Sequence, residues 1–234
     1  MTNLLSVRDL AGGYGKIEVL HGVDLDVARG GITALVGRNG MGKTTTIKML
    51  TGALPPSNGT IEFADRQVVG LPPTTIARLG VGLVPEGRRV FPNLTVREHL
   101  LVGYARGGDA WWTYPRITEL FPRLGERRNN YGNQLSGGEQ QMLAIGRALS
   151  TDPRLLILDE ATEGLAPLIR CEIWRALRSI TERGVSVLVV DKNIQALARI
   201  VDRFAVMTKG RTVWSGTPTE FLAAKDIQQQ HMGL

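Results

Sequence analysis

The chain has 234 residues with a formal net charge of +6, 43% of them hydrophobic and 21% charged. That length suits one domain with a full core, and the balance excludes a disordered chain. A single cysteine, Cys171, excludes an internal disulfide framework, and no run approaches the roughly 20 apolar residues of a membrane-spanning helix.

The start, Met1-Thr2-Asn3-Leu4, lacks the basic-then-apolar layout of a signal peptide, so the expected compartment is the one of synthesis. The positive charge admits nucleic acid, a phosphorylated ligand or anionic headgroups as partners. No run of five basic residues occurs and the four Trp are scattered, which argues against nucleic acid.

In chain order, the first third reads as short strands. Val23, Leu25 and Val27 alternate with Asp24 and Asp26, the period of a half-buried strand. An apolar strand, Ile32 to Val36, runs into a glycine-rich turn and a helical stretch from Thr44 to Leu50. Pro55 to Gly59 form a turn before a strand at Thr60 to Phe63. From about Val96 to Ser150 the pattern is helical, interrupted by a polar Gly/Asn-rich stretch at Arg127 to Gly138. Two buried-type strands follow, Leu155 to Leu158 and Val185 to Val190, with a helix starting near Pro167 between them. Lys209-Gly210 reads as the turn of a hairpin joining Phe204–Met207 to Thr212–Trp214. Alternating strands and helices imply an α/β fold with a mostly parallel sheet, an antiparallel β subregion, and a helical subregion at about 95–150 within one domain.

Three segments carry chemistry. Gly37-Arg38-Asn39-Gly40-Met41-Gly42-Lys43-Thr44 matches the phosphate-binding loop, between an apolar strand and a helix as that motif requires. Its glycines free backbone N–H groups for phosphate oxygens, Lys43 reaches the β- and γ-phosphates, and Thr44 holds Mg²⁺. Gly37, Asn39, Gly40, Gly42, Lys43, Thr44 and Thr45 are therefore the candidate nucleotide-binding residues of this region. Leu155 to Leu158 end in Asp159-Glu160, a place for an Mg²⁺-shell carboxylate and for a general base that polarises the attacking water. Standing alone, such an acidic pair is also the ordinary start of a loop. Leu135-Ser136-Gly137-Gly138-Glu139-Gln140-Gln141 reads in two ways. Ser136 and Glu139 make a capping box, whereas Gly137-Gly138 at a helix start admits a second phosphate.

The order of these three segments resembles the nucleotide-binding subunits of ABC transporters, over essentially the whole chain. Val84-Pro85-Glu86-Gly87-Arg88-Arg89-Val90-Phe91-Pro92, Ser136 to Leu149, Glu163 to Pro167 and His231-Met232-Gly233-Leu234 are similar to the LivF branch, which serves branched-chain amino-acid uptake. Urea and short-amide importers share those features. The resemblance implies a P-loop NTPase that hydrolyses ATP with Mg²⁺, as a sandwich dimer in which Ser136, Gly137 and Gly138 serve the nucleotide of the neighbouring subunit. It implies partners: a second ATPase subunit, two integral-membrane permeases and, indirectly, an external solute-binding protein. The implied location is cytoplasmic, on the inner face of the cell membrane.

The resemblance also puts Tyr14 against adenine and Glu86 near Mg²⁺, and puts the stretch from Glu86 to Phe91 in a groove that receives a permease helix. Glu86 stands where most relatives carry glutamine, and Ala161 where many carry proline. Lys192 stands where many carry a histidine on the γ-phosphate. It is read either as a fixed charge on that phosphate, and so catalytic with Lys43 and Glu160, or as a solvated lysine. An ATP-binding subunit that is catalytically slow remains the alternative.

Overall fold

The computed structural model describes residues 2–103 and 110–232. Met1, part of the expected helical subregion and the closing Gly233-Leu234 pair lie outside the described residues. Ten strands among the described residues form one sheet in the order β5-β4-β1-β2-β10-β9-β3-β8-β7-β6. They are β1 (Asn3–Tyr14), β2 (Ile17–Ala28), β3 (Ile32–Val36), β4 (Asn58–Phe63), β5 (Arg66–Gln67), β6 (Val81–Val84), β7 (Leu155–Asp159), β8 (Ser186–Val190), β9 (Arg203–Thr208) and β10 (Arg211–Gly216).

The half of the sheet that carries the chemistry is parallel. β3 pairs with β8 and β9, β7 with β8, and β6 with β7, all in parallel register. Every residue of β3, β7 and β8 is buried, which explains their unbroken apolar runs: helices or strands cover both faces. Successive side chains still part to opposite sides. Ala34, Val36, Leu156, Leu158, Val187 and Val189 join a core with the Gly137–Leu149 and Pro167–Glu182 helices. Leu35, Leu155, Ile157, Leu188 and Val190 join a second core with Ile47 and Leu50 of the Lys43–Leu50 helix.

The expected antiparallel subregion is β1, β2, β4 and β5, with β2 touching β10 in parallel through Arg211 and Gly22. Its two main strands are twelve residues each, not short. Their length was hidden because four register shifts in the β1–β2 ladder break the alternation that marks a regular strand. β4 starts at Asn58, inside the expected turn, because Asn58 pairs with Ala11. The sequence reading has no β6: Val81-Gly82-Leu83-Val84 is brief, and only its ladder with β7 fixes it as a strand. The expected hairpin at Lys209-Gly210 forms, with Thr212 opposite Met207. Between 95 and 150 the described α-helices are Val96–Val102, Tyr114–Leu120, Pro122–Glu126 and Gly137–Leu149, with one 3-10 turn at Gly132–Gln134, so the polar interruption ends at Ser136.

His99, on the Val96–Val102 helix, is fully buried and uses both ring nitrogens: Phe91 N–H donates to Nε2 at 2.9 Å, and Nδ1 lies 2.8 Å from Thr95 O. That pattern needs the neutral ring, with the proton on Nδ1. Burial pulls its pKa below the ordinary value, the Thr95 carbonyl and Glu98 raise it, and Arg147 lowers it further. Because the folded value lies below the unfolded value of about 6.5, this contribution is complete above that pH and is lost as pH falls through the folded value. The urea midpoint should drop between pH 7.5 and 5.5, and His99→Gln, which keeps a donor and an acceptor, should drop less. Equal drops would contradict this account.

Candidate nucleotide site

β3 ends at Val36 and the chain turns through the glycine loop into the Lys43–Leu50 helix. Gly42 caps that helix in a left-handed conformation, φ 100°, and an added Cβ would lie 2.5 Å from Leu20 Cδ2. A side chain here would meet both backbone strain and a clash, which is the local reason for glycine. Lys43 Nζ donates to Gly37 O at 2.7 Å and Arg38 O at 2.9 Å, lying back across the loop it serves. Burial lowers its pKa, while the Asp159 and Glu160 carboxylates raise it and Lys192 lowers it.

β7 carries Asp159 to the same end of the sheet, where it is 3% exposed. Burial pushes its carboxyl up, the hydrogen bond with the Thr44 side chain pulls it down, and the Glu86 charge pushes it up again. Its Oδ1 is buried without a hydrogen-bond partner among the described residues. An orphaned carboxylate oxygen beside the exposed Thr44 is a hard-oxygen donor set that fits Mg²⁺. No group of three His, Cys, Asp or Glu side chains among the described residues could hold a metal alone.

Glu160, next along the chain, has φ 57°, an unusual left-handed value for glutamate. Ala161 N–H donates to Val190 O at 3.2 Å and anchors this bend to β8. The Glu160 pKa is pushed up to about 7, first by a hydrogen bond shared with the Glu163 carboxyl, then by burial and by the charges of Glu163 and Glu86. Glu163 is held below the ordinary value by the same bond and by its bond to Lys192. Lys192 Nζ stands 2.6 Å from Glu163 Oε1, both side chains about half exposed. The half-exposed lysine is therefore not free: it lines the crevice already paired with a carboxylate.

Asp191 and Thr162 were missed by the sequence reading. Asp191 Oδ2 accepts from Thr162 N at 2.8 Å and Thr162 Oγ1 at 2.7 Å, and its Oδ1 accepts from Asn193 N at 2.9 Å. The buried aspartate thereby ties the turn after β7 to the end of β8. Its signal was an acidic residue directly after an apolar strand, the same pattern that marked Asp159.

Lys43, Glu160, Glu163, Asp191 and Lys192 line one crevice of about 580 Å³. Tyr14 is outside that lining, 43% exposed at the end of β1, with Lys48 Nζ donating to its hydroxyl at 3.1 Å. A hydrogen bond with Thr45 and then one with Lys48 lower its pKa, which places the ring beside the phosphate-loop helix. Ser136, Gly137 and Gly138 do not reach the crevice of their own chain. Both arms of the capping box form: Glu139 N to Ser136 Oγ at 3.3 Å, and Ser136 N to Glu139 Oε2 at 2.8 Å. Gly138 also has a packing cause that the sequence reading lacked, whereas the close neighbour of Gly137 is the movable end of an arginine. A Cβ on Gly138 would lie 2.7 Å from Ile169 Cγ2, and one on Gly137 would lie 2.6 Å from Arg88 Nη1.

The family model described as ABC transporter matches residues 20–163. The chain is 40% identical over 232 residues to the high-affinity branched-chain amino acid transport ATP-binding protein BraG of Pseudomonas aeruginosa, covering 98% of this chain and 100% of that protein. It is 32% identical over 233 residues to the lipopolysaccharide export system ATP-binding protein LptB of Escherichia coli K12, covering 98% and 97%. A solved ATP-binding subunit of an ABC transporter superposes with TM-score 0.82 at 31% identity, over 97% of this chain and 92% of that one. The ADP conformation of the cassette MJ1267 gives TM-score 0.84 over 98% of both chains at 22% identity, a likeness of fold alone. With the family model spanning more than half of the residues and relatives matched end to end, the chain belongs to the ABC transporter family, among its ATP-binding transport ATPases.

Proposed function

We propose that residues 1–234 form one ATP-binding unit that hydrolyses ATP to power an importer of branched-chain or related amino acids. The observation that carries the ATPase reading is the single crevice shared by Lys43 and Glu160, with the orphaned Asp159 oxygen beside Thr44. The cargo reading rests on the end-to-end similarity to BraG; LptB, named for export, is the more distant of the two.

The roles follow from chemistry. The loop N–H groups between Gly37 and Thr45 cradle the β- and γ-phosphates, with Asn39 in that loop, and Lys43 places its charge on them. Thr44, Asp159 and the exposed Glu86 would hold Mg²⁺, which when bound offsets charge on the phosphate oxygens. Glu160 orients the attacking water and accepts its proton, Tyr14 stacks on adenine, and Lys192 adds positive charge at the γ-phosphate side. Ser136, Gly137 and Gly138, which do not line the crevice shared by Lys43 and Glu160 of their own chain, meet the nucleotide of the facing subunit.

No helix among the described residues is long and apolar enough to cross a membrane, so transport needs membrane partners. A groove of about 950 Å³ next to the Glu86–Phe91 stretch includes Ile76, Leu83, Phe91 and Val102. Phe91 is 50% and Val102 60% exposed, an apolar surface suited to a permease helix on the inner face of the membrane. A solute-binding protein would then act through the permeases. The slow-subunit reading has one observation in its favour, the engagement of Lys192 by Glu163.

Mutation, dilution, co-purification and uptake test this reading. Glu160→Gln should keep ATP binding, trap a closed dimer and lose about 10²–10⁴ in hydrolysis, whereas Lys43→Ala should weaken ATP binding itself. Specific activity should rise steeply with protein concentration; flat activity down to monomer would refute a shared site. Phe91→Asp should abolish co-purification with permeases while the isolated chain stays folded and binds ATP. For cargo, cells lacking the chain should lose leucine uptake; lost urea uptake with intact leucine uptake would favour the amide branch.

A further inference from the structure

Two ties join the turn after β7 to the end of β8. The Asp191–Thr162 tie is buried, uses both carboxylate oxygens once Asn193 N is included, and fixes the two backbones. The Lys192–Glu163 tie, at 2.6 Å, lies in the open crevice. Half-exposed ion pairs add little to stability, so the consequence of this one is where it holds its charge.

Lys192 feels the carboxylates of Glu163, Glu160 and Asp191, and Lys43 feels Lys192. Asp191 has both oxygens occupied, and Glu163 alone carries the ammonium bond. Glu163 also acts directly on Glu160, so the two carboxyl groups and Lys192 share one corner of the crevice. Without Glu163, the carboxylate lining this crevice that no N–H or O–H donor among the described residues already holds is Glu160. An ammonium seated on Glu160 would block the lone pairs that must face the water.

We propose that Glu163 is a positioning residue for hydrolysis: it holds Lys192 at the crevice wall and keeps that cation off Glu160. The inference rests on the ATPase reading above and adds to it a reason for an acidic residue three positions after the base.

The test is the steady-state ATPase of the full chain, at concentrations giving the dimer, for Glu163→Gln, Lys192→Gln, the double variant and Glu163→Asp. Glu163→Gln should lose at least about tenfold in kcat, with ATP affinity and thermal unfolding unchanged. Adding Lys192→Gln should raise the rate again, to that of Lys192→Gln alone, because the cation that Glu163 restrains is then gone. Glu163→Asp, which keeps the ion pair, should keep most of the rate. A wild-type rate in Glu163→Gln, a double variant slower than both singles, or equal losses in the Asp and Gln variants would overturn the assignment. If Glu160→Gln is dead while Glu163→Gln is normal, only this inference fails; if Glu160→Gln turns over normally, the reading beneath it fails as well.

Discussion

Parallel pairing of β3, β8 and β7 side by side is the constraint on which the nucleotide site depends. Thr33 faces Leu188 and Leu156 faces Val187, so the three strands run in step and end on one edge. A parallel sheet sends each strand end into a separate loop, and ligands settle where those loops converge. The phosphate loop leaves β3, the Asp159-Glu160 pair closes β7, and Asp191-Lys192 follows β8. Residues more than a hundred positions apart become neighbours because five backbone rungs on one side of β8 and three on the other hold their strands level.

That convergence crowds charge. Asp159, Glu160, Glu163, Asp191 and Glu86 gather there with three lysines among the described residues, Lys43, Lys48 and Lys192. The structure relieves the excess in several ways: Asp191 accepts three hydrogen bonds, Glu163 takes Lys192, and Glu160 shares a hydrogen bond with Glu163. Asp159 keeps an unsatisfied oxygen, a costly state for a buried carboxylate that a divalent cation would relieve. The strained backbone of Glu160 belongs with these features, since unusual dihedrals persist where the surroundings over-determine them.

The helix opening at Ser136 shows one short segment meeting two demands. Its capping box satisfies orphan donors, and Gly138 admits Ile169 at a distance that no side chain would allow. Neither demand requires a ligand, so the motif is not evidence of phosphate binding by itself. Its exposure at Ser136 and its separation from the crevice of the same chain leave it free to face another subunit.

The phosphate loop, the strand ending in two carboxylates and the apolar β3 were legible in the sequence because each is local: glycine spacing, hydrophobic runs and abrupt polarity changes survive without neighbours. The mixed sheet followed from the alternation of strands and helices. The length of β1 and β2 was not legible, because bulges interrupt their period, and β6 was not, because four residues acquire strand geometry only beside β7. Lys192 was legible as an unusual residue, but its partner Glu163 lies 29 positions away and is reached only when β7 and β8 pair. The sequence by itself determined which groups are available for chemistry. The tertiary structure decided which of them touch, because contact between strand ends is a property of register and sheet order and leaves no periodic mark along the chain.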